Sequence, residues 1–337
     1  MRISLVELLD RKKIILADGA TGTNFMEMGL EPGFPPDLWN ISSPEKPVAL
    51  HQKFVDAGSD IILTNTFGAN APRLKLHEAE DQTYAINKSG AEIAGQVAAK
   101  SDRPVVVAGS VGPTGELFEP MGDMTAETAK DVFMEQMRGL KDGGADVIWI
   151  ETMSAEEEIE AAANAAVALN MPYVFTASFD TAGKTMMGIA PGALNDLVET
   201  MPVKPVAYGG NCGVGASDML LSNLQMTHAD PAAIIIGKAN CGIPVVKGKH
   251  TVYTGTPELM ADFARMAINA GVRIIGGCCG TAPEHIEAMR KAIDNYVLGA
   301  RPSTDEIIET LGPLAAPPTS EAARQRSLDR KKRRRRS

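Results

Sequence analysis

The residues best suited to chemistry in this chain are two adjacent cysteines in a glycine-rich segment, Gly276-Gly277-Cys278-Cys279-Gly280. A third cysteine, Cys212, has a similar setting in Gly210-Asn211-Cys212-Gly213. Each segment follows a short β-branched run, so each is predicted to lie at the exit of a strand. Glycines there allow backbone and ligand to approach closely. Three thiolates with an open fourth position would form a zinc centre that binds and activates a substrate.

Other interpretations of the cysteines stay open on these grounds alone. A free cysteine is often only a small buried hydrophobic residue. A closed structural zinc site would result if Cys241, the fourth cysteine, supplied a fourth ligand. A disulfide framework is not indicated by four cysteines in 337 residues with no signal peptide, and the missing Cys-x-x-Cys spacing argues against a dithiol redox enzyme.

The two adjacent cysteines restrict the local backbone. Cys278 and Cys279 would point in different directions in a regular strand, so both can face one metal only where the strand ends and turns. The glycines on either side permit such a turn.

Short apolar runs alternate with longer helical patterns along the chain, and these elements must position the cysteines. The candidate strands are 14–17, 60–63, 104–108, 146–150, 173–177, 206–209, 233–236 and 273–276. The helical stretches include 71–99, 126–143, 155–169, 218–228, 257–270 and 283–296. Eight strand–helix alternations predict an α/β fold, a single (β/α)8 barrel of the TIM type, rather than an open sheet. Single barrels of this type often have about the length of this chain, 337 residues.

The barrel prediction gathers the polar motifs on one face. Catalytic residues of these barrels lie at the C-terminal ends of the strands. Cys212 follows the sixth candidate strand, and Cys278 and Cys279 follow the eighth. Three other polar segments follow the first, second and fourth strands: Asp18-Gly19-Ala20-Thr21-Gly22-Thr23, Thr64-Asn65-Thr66-Phe67 and Glu151-Thr152. This convergence favours a zinc site at the C-terminal ends of the strands and metal-dependent chemistry.

Charge divides the chain unevenly. The net charge is −9, yet residues 321–337 hold nine Lys or Arg against Glu321 and Asp329, a net of +7, which leaves −16 for residues 1–320. An acidic body does not indicate a nucleic-acid partner. No run reaches the roughly 18 apolar residues of a membrane span, so a cytoplasmic protein without membrane contact is expected.

The domain prediction follows the same division. Residues 1–300 are assigned to the barrel, and residues 301–337 to a disordered tail that ends in the basic run 330–336. Two interpretations of the tail stay open, a solvated extension without a role and electrostatic docking to an acidic partner or another copy of the chain. The oligomeric state is not indicated.

The chain resembles the homocysteine S-methyltransferases, a zinc-dependent family. The family includes betaine–homocysteine methyltransferase and the N-terminal homocysteine-binding module of cobalamin-dependent methionine synthase. The three polar segments above, Gly210-Asn211-Cys212 and Gly276-Gly277-Cys278-Cys279-Gly280-Thr281 match the family motifs in order, and the resemblance extends from about residue 10 to residue 297. The paired-cysteine motif is specific, whereas Asp-Gly-Ala-Thr-Gly alone would be weak.

The resemblance implies an activity and a ligand set. Cys212, Cys278 and Cys279 would hold Zn²⁺, and the homocysteine sulfur would take the open position, receive a methyl group and form methionine. Cys241 stands at an alanine-like position of a family loop, so it is expected near the zinc without binding it.

The resemblance also implies substrate contacts. Glu151 and Asp18 would receive the homocysteine ammonium, directly or through backbone and water. Amides near Gly19 and Thr64 would hold its carboxylate, and Asn211 is expected to line the substrate site.

The methyl donor is predicted from what the chain lacks. A quaternary ammonium donor such as betaine favours an aromatic cage. Betaine-using relatives have tyrosines where this chain has Gly68 and Thr152, and both residues resemble the methionine synthase module. Four other aromatic residues stay candidates for an apolar donor pocket, with Trp39 equally well explained as a packing residue: Phe25, Phe34, Trp39 and Phe67.

The expected function is therefore that of a stand-alone methionine synthase module. The chain ends too soon to contain the folate and cobalamin modules, so a separate methyl-corrinoid protein, carrying methylcobalamin, or a methylfolate-derived methyl group would serve it. Betaine or S-methylmethionine is the alternative donor. A non-catalytic zinc protein is the competing class, and retention of Asp18, Glu151 and the three cysteines argues against it.

Overall fold

A computed structural model of the chain describes residues 2–242, 244–247 and 250–315, so the basic run predicted for the tail lies outside the described residues. Eight parallel strands form one sheet, and a separate antiparallel hairpin consists of β8 and β9. The strands are β1 (Ile15–Leu16), β2 (Ile61–Leu63), β3 (Val106–Val111), β4 (Val147–Met153), β5 (Tyr173–Ala177), β6 (Ala207–Cys212), β7 (Ile235–Ala239), β8 (Pro244–Lys247), β9 (His250–Tyr253) and β10 (Ile274–Gly277).

Helices connect successive strands of the sheet. They are α1 (Leu5–Arg11), α2 (Gly22–Glu27), α3 (Trp39–Ser42), α4 (Glu45–Asp56), α5 (Ala71–Lys75), α6 (Thr83–Lys100), α7 (Ala126–Asp142), α8 (Glu156–Ala168), α9 (Leu194–Thr200), α10 (Ala216–Ala229), α11 (Pro257–Asn269), α12 (Pro283–Asp294) and α13 (Thr304–Leu311). Short 3-10 helices span Pro36–Leu38, Glu80–Gln82 and Pro191–Ala193.

The sheet order is β1-β10-β7-β6-β5-β4-β3-β2, and a parallel bridge between Ala17 and Ile61 joins its two edges. The sheet therefore closes, and the predicted (β/α)8 barrel is confirmed. All eight predicted strands are present at the predicted places.

Alternation along the strands builds two apolar layers. Every second side chain of a strand points into the barrel, and these inward residues form one cluster that includes Ile61, Val106, Trp149 and Ile236. The other parity packs under the surrounding helices in a larger cluster. Helix α1 contributes Leu5, Leu8 and Leu9 to the interior cluster, so it closes one end of the barrel.

The seam between β1 and β2 has little strand pairing of its own, and two aspartates reinforce it. At the N-terminal end of β2, Asp60 accepts a hydrogen bond from Leu16 N–H at 3.0 Å. At the C-terminal end of β1, Asp18 accepts one from Leu63 N–H at 2.7 Å. Each carboxylate thus replaces a backbone acceptor across the seam.

Two helical segments differ from the sequence predictions. The predicted helix 71–99 is divided into α5 and α6, because the chain turns at Glu78, which has a φ of 54°. Helix α13 lies within the segment assigned to the disordered tail. Ser303 and Glu306 form a capping box at its start, and Ile307 and Leu311 are buried against the barrel helices. Ordered structure therefore extends beyond residue 300.

In the part of the chain that the structure describes, no helix combines the length and apolarity required to span a membrane.

Candidate metal and substrate site

The three cysteines that the sequence singled out lie together at the C-terminal end of the barrel. Cys212 ends β6, and Cys278 and Cys279 directly follow β10. Their sulfur atoms all lie within 4.8 Å of one another, and the Cys212 and Cys279 sulfurs are 3.7 Å apart. Zinc–sulfur bonds of about 2.3 Å at tetrahedral angles put ligand sulfurs about 3.8 Å apart. The donor set and its spacing therefore fit a metal ion such as zinc.

Backbone turns aim these sulfurs at a common point. Cys212 has a φ of 61°, a left-handed conformation that is costly for a residue with a side chain. Cys278 N–H still donates to Ala239 O of β7 at 2.7 Å, and Thr281 N–H then donates back to Cys278 O at 3.0 Å. The strand thus ends just before the pair and the chain turns there, so both cysteines can face one metal.

Glycine is required immediately after the pair. Gly280 has a φ of 79°, and a Cβ atom there would lie 2.3 Å from the Tyr253 side chain. Any other residue would therefore be strained and would push β9 away from the cysteines.

The crowded thiols have unequal proton affinities. Hydrogen bonds from Cys212 and Cys278 lower the pKa of Cys279 to about 3. The contacts with Cys278 and Cys279 raise the pKa of Cys212 far above that of a free thiol. A metal ion bound among these sulfurs would favour the ionised form of all three thiols.

Cys241 lies next to this cluster but does not join it. Its side chain is buried, its N–H donates to Cys279 O at 2.9 Å, and burial raises the pKa of its thiol to about 12. Within the described ranges, the cysteines close enough to share a metal are Cys212, Cys278 and Cys279.

Glu151 projects into the barrel beside the cysteines because it has the same inward parity as Trp149, and β4 becomes irregular at this point. The register with β5 shifts between Ile150 and Met153, and Thr152 has a φ of 64°. Such bulges commonly redirect side chains near active sites. Burial raises the pKa of Glu151 to about 7, although the Lys238 ammonium opposes this effect.

Ser110 orients Glu151, a role that is absent from the sequence predictions. Its hydroxyl donates to Glu151 Oε1 at 2.5 Å, while its backbone N–H donates to Thr64 Oγ1 at 2.9 Å. The Thr64 and Thr66 hydroxyls are 2.6 Å apart. Thr64 therefore supports Glu151 through Ser110. Ser110 has the inward parity of β3, which is the one signal in the sequence that points to it.

Asn211 links the acidic and sulfur parts of the site. Its Oδ1 accepts from Thr152 N–H at 2.8 Å and from the Thr176 hydroxyl at 2.7 Å. Its Nδ2 donates to the Thr152 hydroxyl at 2.8 Å and lies 3.7 Å from the Cys278 sulfur. These contacts fix the strand ends β4, β5 and β6 relative to Cys278.

Asp18 is buried, and protein groups engage both of its carboxylate oxygens. Oδ2 accepts from Leu63 N–H, and Oδ1 pairs with Lys238 Nζ at 2.9 Å. Lys238 is the principal site residue that is absent from the sequence predictions, because the predicted seventh strand ends at residue 236. Lys238 has the same inward parity as Ile236, so a strand extended by two residues would have placed it in the barrel.

The backbone N–H groups near Gly19 and Thr64 differ in whether a protein acceptor already engages them. Thr64 N–H donates to Ala108 O at 2.9 Å, so it is engaged within the barrel. For Gly19 and Asn65, no acceptor for the backbone N–H is found in the described part of the chain. Gly19 tolerates no side chain, since a Cβ atom would lie 2.5 Å from Thr281 O.

The aromatic residues of the first loops separate into two groups. Phe25 and Trp39 are buried with ring centroids 5.0 Å apart, so they are packing residues. Phe34 and Phe67 are exposed on the loops that follow β1 and β2. Exposed apolar side chains also occur on the loops after β3 and β5: Leu117, Met121, Met186 and Met187.

Known proteins resemble this chain over most of its length. A family model described as homocysteine S-methyltransferase matches residues 15–293. Methionine synthase from Mycobacterium tuberculosis (strain ATCC 25618 / H37Rv) is 29% identical over 311 residues, covering 86% of this chain and 25% of that protein. Methionine synthase from Mycobacterium leprae (strain TN) is 28% identical over 302 residues, covering 84% and 24%. The chain thus spans about a quarter of these relatives.

A solved structure shares the fold. The homocysteine methyltransferase MmuM from Escherichia coli, in its metallated form, superposes with a TM-score of 0.71 at 24% identity, covering 85% of this chain and 99% of that one. Its oxidized form gives the same TM-score over 98% of its length.

Proposed function

The chain belongs to the homocysteine S-methyltransferase family, and we propose that it transfers a methyl group to the thiol of homocysteine at the cysteine cluster, forming methionine. The observation that carries the proposal is the convergence of three sulfur atoms within 4.8 Å, next to the buried carboxylate of Glu151. The cluster offers a metal ion three ligands, and the carboxylate offers the substrate's amino group a partner.

The metal that suits this donor set is zinc. Cys212, Cys278 and Cys279 would hold it, leaving the fourth position to the substrate sulfur. Bound zinc would lower the pKa of the homocysteine thiol so that its sulfur is present as a thiolate near neutral pH. Asn211 would keep the Cys278 sulfur oriented through the contact at 3.7 Å.

The amino-acid end of homocysteine would lie against Glu151. Oε1 of Glu151 is held by Ser110, and no hydrogen bond to Oε2 is found among the described residues. That free oxygen suits an ammonium group, and the pairing would favour the ionised carboxylate. The N–H groups of Gly19 and Asn65, the latter adjacent to Thr64, are candidate donors for the substrate carboxylate.

For the methyl donor we propose a corrinoid carried by a separate protein. The resemblance to betaine-using relatives implies tyrosines at the positions of Gly68 and Thr152, and an aromatic cage would need them. Exposed apolar side chains on the loops after β1, β2, β3 and β5, such as Phe67 and Met186, suit a large donor rather than a small one. The similarity to methionine synthases adds support.

A free small-molecule donor is the second candidate, and one observation favours it. The chain covers 99% of the solved Escherichia coli chain named a homocysteine methyltransferase, whereas it covers 25% of the Mycobacterium tuberculosis methionine synthase. S-methylmethionine and betaine are the donors to compare.

The test is methionine formation by the zinc-loaded full chain from homocysteine, with methylcobalamin, S-methylmethionine and betaine offered separately. We expect product with methylcobalamin and none with betaine, and the Cys278→Ala protein serves as the inactive control. Product with S-methylmethionine alone would replace the corrinoid proposal with the second candidate. No product with any donor, despite bound zinc, would favour a non-catalytic zinc protein.

A further inference from the structure

A lysine lies inside the barrel at the substrate site, where buried lysines are rare. Lys238 extends inward from β7 between Asn211 of β6 and Gly276 of β10, which are its register partners. A Cβ atom at Gly276 would lie 3.0 Å from Lys238 Cγ, so glycine there leaves room for the lysine stem. The neighbouring strand is therefore shaped around this side chain.

The ammonium of Lys238 lies between two carboxylates. It pairs with Asp18 at 2.9 Å and lies 5.5 Å from the ring centroid of Trp149. Trp149 and Glu151 share the inward parity of β4, so the lysine reaches across the barrel toward the strand that carries Glu151. Consistently, Lys238 counteracts the burial that raises the pKa of Glu151.

The carboxylates of Asp18 and Glu151 differ in whether an oxygen is left without a hydrogen-bond partner. Both oxygens of Asp18 are engaged, by Leu63 N–H and by Lys238. Glu151 has a hydrogen bond on Oε1 from Ser110, and its Oε2 has no partner in the described part of the chain. Only one of the two acids therefore offers a ready acceptor to an incoming ammonium group.

We propose, on the premise of the function proposed above, that Asp18 and Lys238 act as a positioning pair: Asp18 holds the lysine ammonium away from Glu151, which keeps a Glu151 oxygen for the substrate ammonium. Asp18 then serves homocysteine without contacting it. The specificity for an α-amino group depends on keeping the protein's own cation from occupying its place.

The physical basis is competition between two ammonium groups for one acceptor. A buried cation without a counter-ion is costly, so it pairs with the nearest carboxylate that it can reach. Lysine has a flexible four-carbon stem that allows such a change of partner. If Asp18 loses its charge, Glu151 becomes the next acceptor for Lys238, and homocysteine must displace the lysine to bind.

The test is a rescue experiment with Asp18→Asn, Lys238→Met and the double variant, all as zinc-loaded full chains. Asparagine keeps an oxygen for Leu63 N–H, and methionine keeps most of the apolar stem. Binding is measured by calorimetry with homocysteine and with 4-mercaptobutanoate, which has the thiol and carboxylate but no amino group. Zinc content and thermal unfolding are recorded for each variant.

We expect Asp18→Asn to weaken homocysteine binding about tenfold or more, since a charge-assisted contact is lost, while 4-mercaptobutanoate binding stays unchanged. Adding Lys238→Met should restore the affinity for homocysteine to within about threefold of wild type. Arg290→Met, which removes a cation that pairs with Asp60 at the opposite end of the seam, is the matched control and should not change either affinity.

A double variant as defective as Asp18→Asn would overturn the proposal, because that result means that Asp18 contacts the substrate ammonium itself. An unaltered affinity in Asp18→Asn would overturn it as well. Equal loss for both ligands would indicate a collapsed site rather than competition, and would also contradict the proposal. Wild-type protein that binds zinc but not homocysteine would instead refute the proposed function.

Discussion

Two aspartates hold the same seam of the barrel from opposite ends, and they do so with different partners. Asp60, at the N-terminal end, pairs with Lys12 at 2.7 Å, Arg290 at 3.2 Å and Arg103 at 3.5 Å. Asp18, at the C-terminal end, pairs with one cation, Lys238. Each accepts a backbone N–H from the other strand of the seam.

The partners also differ in their access to water. The side chains of Lys12, Arg103 and Arg290 are 41%, 34% and 17% exposed, whereas that of Lys238 is 3% exposed. Cations that water can reach and that share one carboxylate can lose one member of the set while the others are hydrated, so the Asp60 network serves stability. A single buried cation has no such alternative, and its nearest other acceptor belongs to the substrate site. The same local device thus supports folding at one end and selectivity at the other.

The largest expected effect tests whether chemistry is confined to the C-terminal end. Cys212→Ala, Cys278→Ala and Cys279→Ala should each abolish zinc binding and reduce methyl transfer to below about one thousandth of the wild-type rate, since the metal provides several kcal/mol of activation. Cys241→Ala, the matched control, should retain both. Metal analysis and methionine formation measure these outcomes.

The barrel should remain folded when the metal is lost, because eight strand–helix units supply a large core. Circular dichroism checks this expectation. Zinc retained at full stoichiometry in the Cys212 or Cys279 variant would exclude the three-cysteine ligand set.

The next effect belongs to the N-terminal end. Asp60→Asn should lower the free energy of unfolding by about 2–3 kcal/mol, because three cations lose a common buried partner although water can reach them. Its KM for homocysteine should equal that of wild type. Denaturant unfolding and steady-state kinetics test both halves, and a raised KM would mean that the two ends of the seam are coupled.

Glu151→Gln tests the C-terminal end of the barrel through its effect on the affinity for homocysteine. We expect homocysteine affinity to fall by about 1.5–3 kcal/mol, roughly tenfold to a hundredfold, because the ammonium loses a charged partner. Zinc content should not change, since Glu151 is no metal ligand in this assignment. If calorimetry gives wild-type affinity, the amino-acid end of the substrate lies elsewhere.

The last expected effect concerns Asp37, a buried aspartate on the loop after β1. Burial raises its pKa from 3.8 to about 6, and it accepts Gly68 N–H at 3.0 Å. Between these two values the folded protein keeps a proton that the unfolded chain releases. The stability that this proton provides is complete below about pH 4 and is lost as the pH rises through 6.

Asp37→Asn should therefore match wild type below about pH 4 and exceed it by about 2–3 kcal/mol at pH 7, the linkage of a shift of about two pKa units. Denaturant unfolding at the two pH values gives the comparison. A variant less stable than wild type at pH 7 would show that ionised Asp37 has a stabilising partner.

The sequence predicted the barrel and the cysteine cluster because both depend on local pattern. Alternating apolar runs mark the strands, and glycines around Cys212 and Cys278 mark the turns that expose sulfur. Glu151 was identifiable because it follows an apolar strand directly. These features need only neighbours in the chain.

Pairings across the barrel were not predictable in the same way. Lys238 and Asp18 are separated by 220 positions, and no pattern in the sequence around either residue indicates that they pair. Ser110 looks like an ordinary strand residue until β3 and β4 align it with Glu151. The division of 71–99 into two helices depends on a left-handed residue, Glu78, and no glycine or proline occurs in 73–89 to mark the break. Such features follow from tertiary packing rather than local preference.

Helix α1 covers the N-terminal end of the barrel with Leu5, Leu8 and Leu9, which bears on how reactants of the proposed reaction reach the site. The interior behind it is packed with side chains, so on the function proposed above reactants and products would pass only through the C-terminal end. An amino acid that binds deep against Glu151 must enter before a bulky donor arrives above it. Methionine can then leave only after the spent donor has withdrawn. Access from the C-terminal end alone would thus make homocysteine bind before the donor and methionine leave after it.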